Sequence, residues 1–234
     1  MHNNERNMRS IEIKNFNDLN QVLDKYLKSN IWIFRGQANL DWELIPKAFR
    51  LPYSKYNDEK LLNSWKNRAV EYLSNGLKND WEWLFLAQHH GVPTRLLDWT
   101  INPLIACFFA SISNQDNDGA IYAVHYCERI KINSSKPFDL KGISIVIPNS
   151  ITKRITNQGG VFTIHPNNSP QIIESTFETI EQIIIPLHIK KDILFKLNQY
   201  NISYSSIFPD LDGLGKHLCW HIENMDYWDS KYNL

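Results

Sequence analysis

Residues 31–37 read IWIFRGQ, four apolar residues followed by Arg35, Gly36 and Gln37. The apolar run predicts a buried β-strand, and the strand ends on a guanidinium group with a glycine behind it. A buried charge without a partner costs several kcal/mol. We therefore expect that either a carboxylate elsewhere in the chain or an anionic ligand pairs with Arg35.

The composition excludes several classes of protein. The 234 residues are 43% hydrophobic, and 25 basic residues balance 25 acidic ones. This balance gives no general electrostatic footprint for nucleic acid or for anionic membrane. Three widely spaced cysteines predict free thiols in a reducing compartment. There is no apolar run of 18 residues, and the N-terminus does not resemble a signal peptide, so we expect a cytoplasmic protein with no membrane partner.

The order of the predicted elements favours an α+β fold. Helices are predicted at 18–28, at 58–78 and 81–89, and from Asn102-Pro103 onwards, whereas short β-branched runs follow Gly119. We therefore predict a mixed or antiparallel sheet with a helical block inserted after the first strand. The predicted later elements are strands AIYAV (120–124), ISIVI (143–147), GVFTIH (160–165) and QIIIPL (182–187), and helices 190–199 and 210–221. The expected division is a helical lead-in at 1–30, the main domain at 31–220 and a tail at 221–234.

The densest polar stretch is AQHHGVPTRLLDWTINP, residues 87–103. Polar side chains between two apolar helices must bond to one another or face a cavity. Arg95 and Asp98 are three residues apart, close enough to pair on one helical turn. Two interpretations stay open for this pair: an Arg–Asp clamp that holds a tight corner, or part of a ligand site together with Gln88.

Two later stretches also carry polar residues beside turns. NQGGVFTIHP places Gln158 and two glycines before a strand that contains Thr163, which fits either a ligand approach or a β-bulge. SSIFPDLDGLGKHL places Asp210 at the start of a helix, where it fits either a site or a helix cap. The histidines and cysteines lack the spacing of a metal site, so we predict no metal.

These motifs in this order resemble the FRG domain family. The resemblance rests on FRGQ (34–37), AQHHGVPTRLLDWTINPLIACFFA (87–110), NQGGVFTIHP (157–166) and SIFPDLDGL (206–214), and so spans about residues 31–215. It implies a bacterial toxin or antiphage defence protein. The aromatic-Arg-Gly step at residue 35 is also similar to the first strand of ADP-ribosyltransferases, which implies NAD as the substrate and an ADP-ribosyltransferase-like fold.

The resemblance also implies roles for particular residues. Cleavage of the nicotinamide–ribose bond develops an oxocarbenium-like charge that a carboxylate stabilises. In this scheme Arg35 binds the pyrophosphate, Gly36 lets the ligand approach the backbone, and Gln37 hydrogen-bonds to a ribose or to the carboxamide. Asp210 is the expected carboxylate, with Glu181 as the second choice. The remaining residues expected to contact the nucleotide or its target are Gln88, Arg95, Asp98, Gln158 and Thr163.

Three functions therefore stay open. The first is an enzyme that transfers ADP-ribose from NAD to a protein or nucleic-acid acceptor, or hydrolyses NAD, with an antitoxin as a further partner. The second is a non-catalytic module of a defence system that holds a nucleotide or an RNA phosphate between Arg35 and Arg95. The third is a purely structural clamp.

Overall fold

The computed structural model describes residues 8–29, 31–73, 79–126, 135–148, 157–168, 170–173 and 176–224. These residues form a mixed sheet with helices, so the predicted α+β class is confirmed. The strands are Arg9–Glu12 (β1), Trp32–Gln37 (β2), Leu96–Thr100 (β3), Gly119–His125 (β4), Ser144–Val146 (β5), Gly160–Ile164 (β6) and Thr179–Ile185 (β7). The helices are Phe16–Leu23 (α1), Asp58–Ala69 (α2), Asp80–His89 (α3), Pro103–Ser111 (α4), Lys190–Gln199 (α5), Tyr204–Ile207 (α6) and Leu211–Asn224 (α7).

The sheet of the described residues has the strand order β1-β7-β4-β2-β3-β6-β5. The pair β1–β7 is parallel, and the other neighbouring strands are antiparallel. Strand β2 pairs with β4 along its whole length, from Trp32 opposite His125 to Gln37 opposite Ala120. On its other side it pairs with β3 at a single position, Phe34 opposite Thr100. The two strands therefore separate just where Arg35 begins.

The two faces of the sheet are covered differently. Phe34, Ile121 and Ile183 point to one side, where α1, α4 and α5 pack, and we call this the helix face. Helices α2 and α3 cover the β3-β6 end of the same face. Successive side chains of a strand alternate, so Ile33 and Tyr122 point to the opposite side. There they pack with Leu44 and other residues of the connecting segments, and we call this the loop face.

Helices α1 to α4 each begin after a capping asparagine. A side-chain oxygen that accepts from the first free backbone N–H groups stabilises a helix start. The Asn102 side chain accepts from Leu104 N, and Pro103 follows at the first helical position, as predicted. Asn57, rather than the neighbouring Asp58, caps α2. The other two caps are Asn15 of α1 and Asn79 of α3.

The prediction of a helical turn at Arg95–Asp98 was wrong. Residues 96–100 are strand β3, and the Asp98 side chain points to the helix face. The segment is only five residues long and carries an exposed aspartate, so its apolar alternation was too short to recognise. Residues three apart lie on one side of a helical turn but not of a strand. Among the described residues, Arg95 pairs with Asp58 and not with Asp98 as predicted.

The ends of the main domain also differ in detail from the expectation. Residues 9–12, expected within a helical lead-in, form strand β1 and pair with β7. The final helix runs from Leu211 to Asn224 and so crosses the expected boundary at residue 220. The division into three parts stays a prediction. No helix of the described residues is long and apolar enough to cross a membrane.

Candidate functional site

Arg35 lies on the loop face at the point where β2 and β3 separate. Its Nη1 donates to the backbone carbonyl of Asp98 over 2.8 Å, which uses a group that the separated strands leave unpaired. Its Nε is buried and bonds to no described residue. Among the described residues, no carboxylate lies within the 4.0 Å of an ion pair with Arg35. The expected acidic partner is therefore not observed in the described part of the chain.

A second arginine, Arg50, lies near enough to Arg35 to affect its charge. Arg50 follows a 3-10 turn at Lys47–Phe49, and its Nε and Nη2 donate to the carbonyl of Ile45 over 2.8 and 2.5 Å. The net pKa of Arg35 is lowered to about 10, mainly by burial, which outweighs the raising effect of the Asp98 carboxylate and is assisted by the charge of Arg50. Burial also lowers the pKa of Arg50. Two half-buried cations that act on one another form an environment that favours an anion.

Gln37 lies on the same face as Arg35, as the strand alternation predicts. Its side chain is only 3% exposed. Its Nε2 donates to the carbonyl of Glu43 over 3.3 Å, and its buried Oε1 accepts from no described residue. A buried amide oxygen without a donor carries a desolvation cost that a ligand hydroxyl or amide would offset.

Gly36 has a structural role. It points to the helix face, and a Cβ there would overlap the carbonyl of Ala106 and lie 2.7 Å from Ala110 N. Gly36 therefore lets α4 pack directly on β2. The expectation that this glycine admits a ligand gains no support from its surroundings.

Asp98, Gln88 and Gln158 meet around a small cavity on the helix face, of about 40 Å³. Gln88 Nε2 donates to Asp98 Oδ2 over 2.8 Å. Gln158 Nε2 donates to the carbonyl of Ile207 over 3.3 Å. The structure thus brings three predicted residues together, with an exposed Asp98 carboxylate at the centre.

The two carboxylates preferred from the sequence have other contacts. Asp210 Oδ1 accepts from Gly213 N over 2.7 Å and so caps the start of α7. This contact agrees with the helix-cap interpretation of Asp210. Glu181 points to the helix face, since its neighbour Gln182 is paired with Tyr122 on the loop face. Burial raises the pKa of Glu181, but contacts with Lys25 and Tyr26 outweigh this and the net shift is downward. Lys25 Nζ lies 2.5 Å from Glu181 Oε2.

Arg95 forms a buried clamp. Its Nε and Nη2 donate to the two carboxylate oxygens of Asp58, each over 2.7 Å. Nη2 also donates to Asn167 Oδ1 over 3.0 Å, and the guanidinium lies 4.4 Å from the centre of the Phe138 ring. Arg95 is 3% exposed. Arg95 thus forms a clamp with Asp58 of α2 and not with Asp98, the predicted acid.

Thr163 belongs to a buried chain of hydrogen bonds. Trp99 Nε1 donates to Thr163 Oγ1 over 2.9 Å, and Thr163 Oγ1 lies 2.7 Å from His165 Nε2. His165 Nδ1 lies 2.6 Å from the carbonyl of Pro170, which can only accept. The Nδ1 atom is therefore the protonated one, and Nε2 accepts from the threonine hydroxyl. Burial lowers the pKa of His165 to about 4, with a contribution from Arg35.

Sequence reasoning missed Arg50, Tyr122 and His165 as neighbours of Arg35. Tyr122 is opposite Arg35 in the β2–β4 ladder, and its hydroxyl accepts from Gln182 Nε2 over 3.0 Å. Two features of the sequence could have indicated them. Arg50 lies between two prolines, and His165 is two residues after Thr163, so both side chains point to the same face of a strand. Within the described part of the chain, no three His, Cys, Asp or Glu side chains are grouped as metal ligands.

The comparison with protein families gives a match to one part of the chain. The FRG domain model matches residues 30–119, a segment that contains β2, α2, α3, β3 and α4. No curated protein and no solved structure matches the chain.

Proposed function

We propose that the segment matched by the FRG domain model, residues 30–119, binds the phosphates of NAD in an enzyme that transfers ADP-ribose from NAD or hydrolyses NAD. The observation that carries the proposal is the pair Arg35 and Arg50, two half-buried guanidinium groups with lowered pKa values and no described acid within ion-pair distance. A pyrophosphate accepts hydrogen bonds from planar guanidinium groups in a bidentate manner. The unsatisfied Arg35 Nε and Gln37 Oε1 supply one free donor and one free acceptor.

In the proposed reaction the bond between ribose C1′ and the nicotinamide nitrogen breaks. Nicotinamide leaves with the bonding electron pair, which neutralises its ring, and an oxygen nucleophile attacks C1′. The nucleophile is water in hydrolysis or a hydroxyl of an acceptor in transfer, and it loses its proton. Asp98 replaces Asp210 as the proposed carboxylate, because it is exposed, is held by Gln88 and lies close enough to raise the pKa of both arginines.

The ADP-ribosyltransferase-like fold remains part of the proposal. Its support is the aromatic-Arg-Gly step at the end of β2 and the mixed sheet around it. A role as a toxin or antiphage effector, with a protein or nucleic-acid acceptor and an antitoxin, follows from the same resemblance. Arg95 is left out of the proposed contacts, since its guanidinium already holds Asp58.

A second function is favoured by one observation. The Asp98 side chain points to the helix face, whereas Arg35 points to the loop face. Arg35 and Arg50 can hold a phosphate without placing that carboxylate against the ribose. The second candidate is therefore a non-catalytic module that holds a nucleotide or an RNA phosphate.

Incubation with NAD separates the two functions. Release of nicotinamide that Arg35→Gln and Asp98→Asn both abolish supports the enzyme. Stabilisation of the fold by NAD or ADP-ribose without release, lost in Arg35→Gln, supports the binding module. The matched control is Arg68→Gln, because among the described residues Arg68 bonds only to Ser64 of its own helix, α2. No release and no stabilisation would contradict both.

A further inference from the structure

A second and larger cavity lies on the other side of β2 from Arg35. Its volume is about 540 Å³, within the range of small-molecule sites. Its walls are the end of α1 with the 3-10 turn Asp24–Tyr26, the helix-face side chains of β2, and the start of α4. Arg35 and Arg50 do not line it, so an inference about this cavity does not rest on the proposed function.

Three aromatic side chains line this cavity. Tyr26 lies 4.8 Å from Trp32 at an interplanar angle of 64°, and 5.2 Å from Phe34 at 78°. Tyr26 and Phe34 are buried, whereas Trp32 is only half-buried. Lys25 Nζ already lies 4.7 Å from the centre of the Tyr26 ring, and its charge is paired with Glu181. Trp32 is therefore the most accessible of the three rings for a ligand.

The charge of the lining is acidic. Among the described lining residues, Asp24 carries the only formal charge, and it forms no ion pair within the described chain. The remaining polar lining side chains are the uncharged Asn20, Ser29 and Asn102. A carboxylate beside aromatic rings favours a cation, because the faces of the rings attract positive charge as well.

The start of α4 does not offset this preference. The N-terminus of a helix attracts anions through its free N–H groups. Here Asn102 N donates to Thr100 Oγ1 over 3.0 Å, Pro103 has no N–H, and Leu104 N donates to Asn102 Oδ1 over 2.9 Å. The next two N–H groups, of Ile105 and Ala106, both donate to the Asn102 carbonyl. The wall formed by α4 therefore offers no free backbone donor at its first turn.

We propose that this cavity binds a small, flat aromatic cation, such as an N-alkylated pyridinium. The ring stacks against Trp32, and Asp24 supplies the countercharge at the rim.

The test is titration of the full chain with 1-methylnicotinamide and with nicotinamide, which share a ring but differ in charge. Binding is followed by quenching of tryptophan fluorescence and by the shift in melting temperature. We expect saturable binding of the cation and at least about tenfold weaker binding of the neutral ring. Trp32→Leu should weaken binding of the cation about tenfold. Asp24→Asn, an exposed substitution that leaves the core intact, should weaken it about threefold.

Two control variants match these changes. Trp42→Leu removes another partly exposed tryptophan, and Asp116→Asn removes another exposed carboxylate, and neither residue lines the cavity. Both should leave the affinity unchanged. The proposal is overturned if the neutral ring binds as tightly as the cation, if Asp24→Asn has no more effect than Asp116→Asn, or if neither probe binds. These outcomes are independent of nicotinamide release from NAD, which tests the proposed function.

Discussion

At the scale of single residues, two arginines of this chain differ in what neutralises their charge. Arg95 is buried against both oxygens of Asp58, so its charge is neutralised inside the fold. Arg35 is desolvated against a backbone carbonyl and lies beside another arginine. The first arrangement stabilises the fold only as a complete pair. The second has the properties of a binding site.

Substitution should therefore separate the two arginines. Arg95→Gln leaves the buried Asp58 carboxylate unpaired and should lower the free energy of unfolding by about 3–5 kcal/mol. Arg35→Gln loses one hydrogen bond but also removes a desolvated charge, so the change should stay within about 1 kcal/mol. Urea unfolding followed by circular dichroism measures both. Equal losses in the two variants would mean that Arg35 is also a structural clamp.

The buried His165 makes the stability dependent on pH. Its pKa is about 4 in the folded chain, and about 6.5 in an unfolded chain. Between these values the unfolded chain binds more protons, so stability rises with pH and is lost as the pH falls from about 6.5 towards 4. The full loss is about 3 kcal/mol. Urea unfolding at pH 7.5, 6 and 4.5 measures this slope.

His165→Asn is the matched variant for that measurement. It should be less stable at pH 7.5, because the bonds to Thr163 and Pro170 are disturbed, but it should lose much less stability on acidification. A wild-type protein whose stability does not fall below pH 6.5, or a variant with the same slope, would contradict the neutral buried histidine.

At the scale of elements, the contact between β2 and α4 depends on Gly36, which has no side chain. Gly36→Ala places a methyl group against the backbone of Ala106 and Ala110, where neither atom can move without shifting α4. We expect a loss of about 3 kcal/mol or more in the free energy of unfolding. Gly215→Ala in α7 is the control, because a methyl group there meets nothing within 4 Å. It should leave stability unchanged or raise it by up to about 1 kcal/mol. Similar effects of the two substitutions would show that α4 can move away from β2.

Elements with a strong local signal could be predicted from the sequence. Strand β2, the capped start of α4 and the apolar strand β4 lie within two residues of their predicted positions, whereas β7 begins and ends earlier than the predicted strand at 182–187. Strand β1 was missed because RSIE is four residues long and mostly exposed, and its pairing with β7 is a tertiary effect. Strand β3 was missed because Asp98 interrupts its apolar side chains.

The candidate site was predicted less completely, and for a similar reason. The sequence indicated that Arg35 and Gln37 share one face at the end of a strand, because this pattern is visible locally. It could not pair Arg95 with Asp58, 37 positions away, or place Arg50 beside Arg35. These contacts depend on how the loop over residues 38–57 returns to the sheet, which has no local signature.

At the scale of the whole molecule, the segment that the FRG domain model matches contains only part of the sheet. Residues 30–119 end at the first residue of β4, which separates β2 from β7, and they exclude β6 beside β3. A fragment of residues 30–119 should expose Ile33 and Phe34, and should lack the cooperative unfolding transition of the full chain. Circular dichroism and size-exclusion chromatography of the purified fragment test this. A monomeric fragment with a cooperative melt would indicate that the matched segment folds on its own.

The central claim is that Arg35 and Arg50 hold the phosphates of a nucleotide. The most direct test is isothermal titration calorimetry of the full chain with ADP-ribose, for the wild type and for Arg35→Gln, Arg50→Gln and the control Arg68→Gln. We expect saturable binding by the wild type and the control, with at least a tenfold loss of affinity in each of the other two variants, corresponding to about 1.4 kcal/mol or more. Undiminished binding by folded Arg35→Gln, or no binding by the wild type, would contradict it.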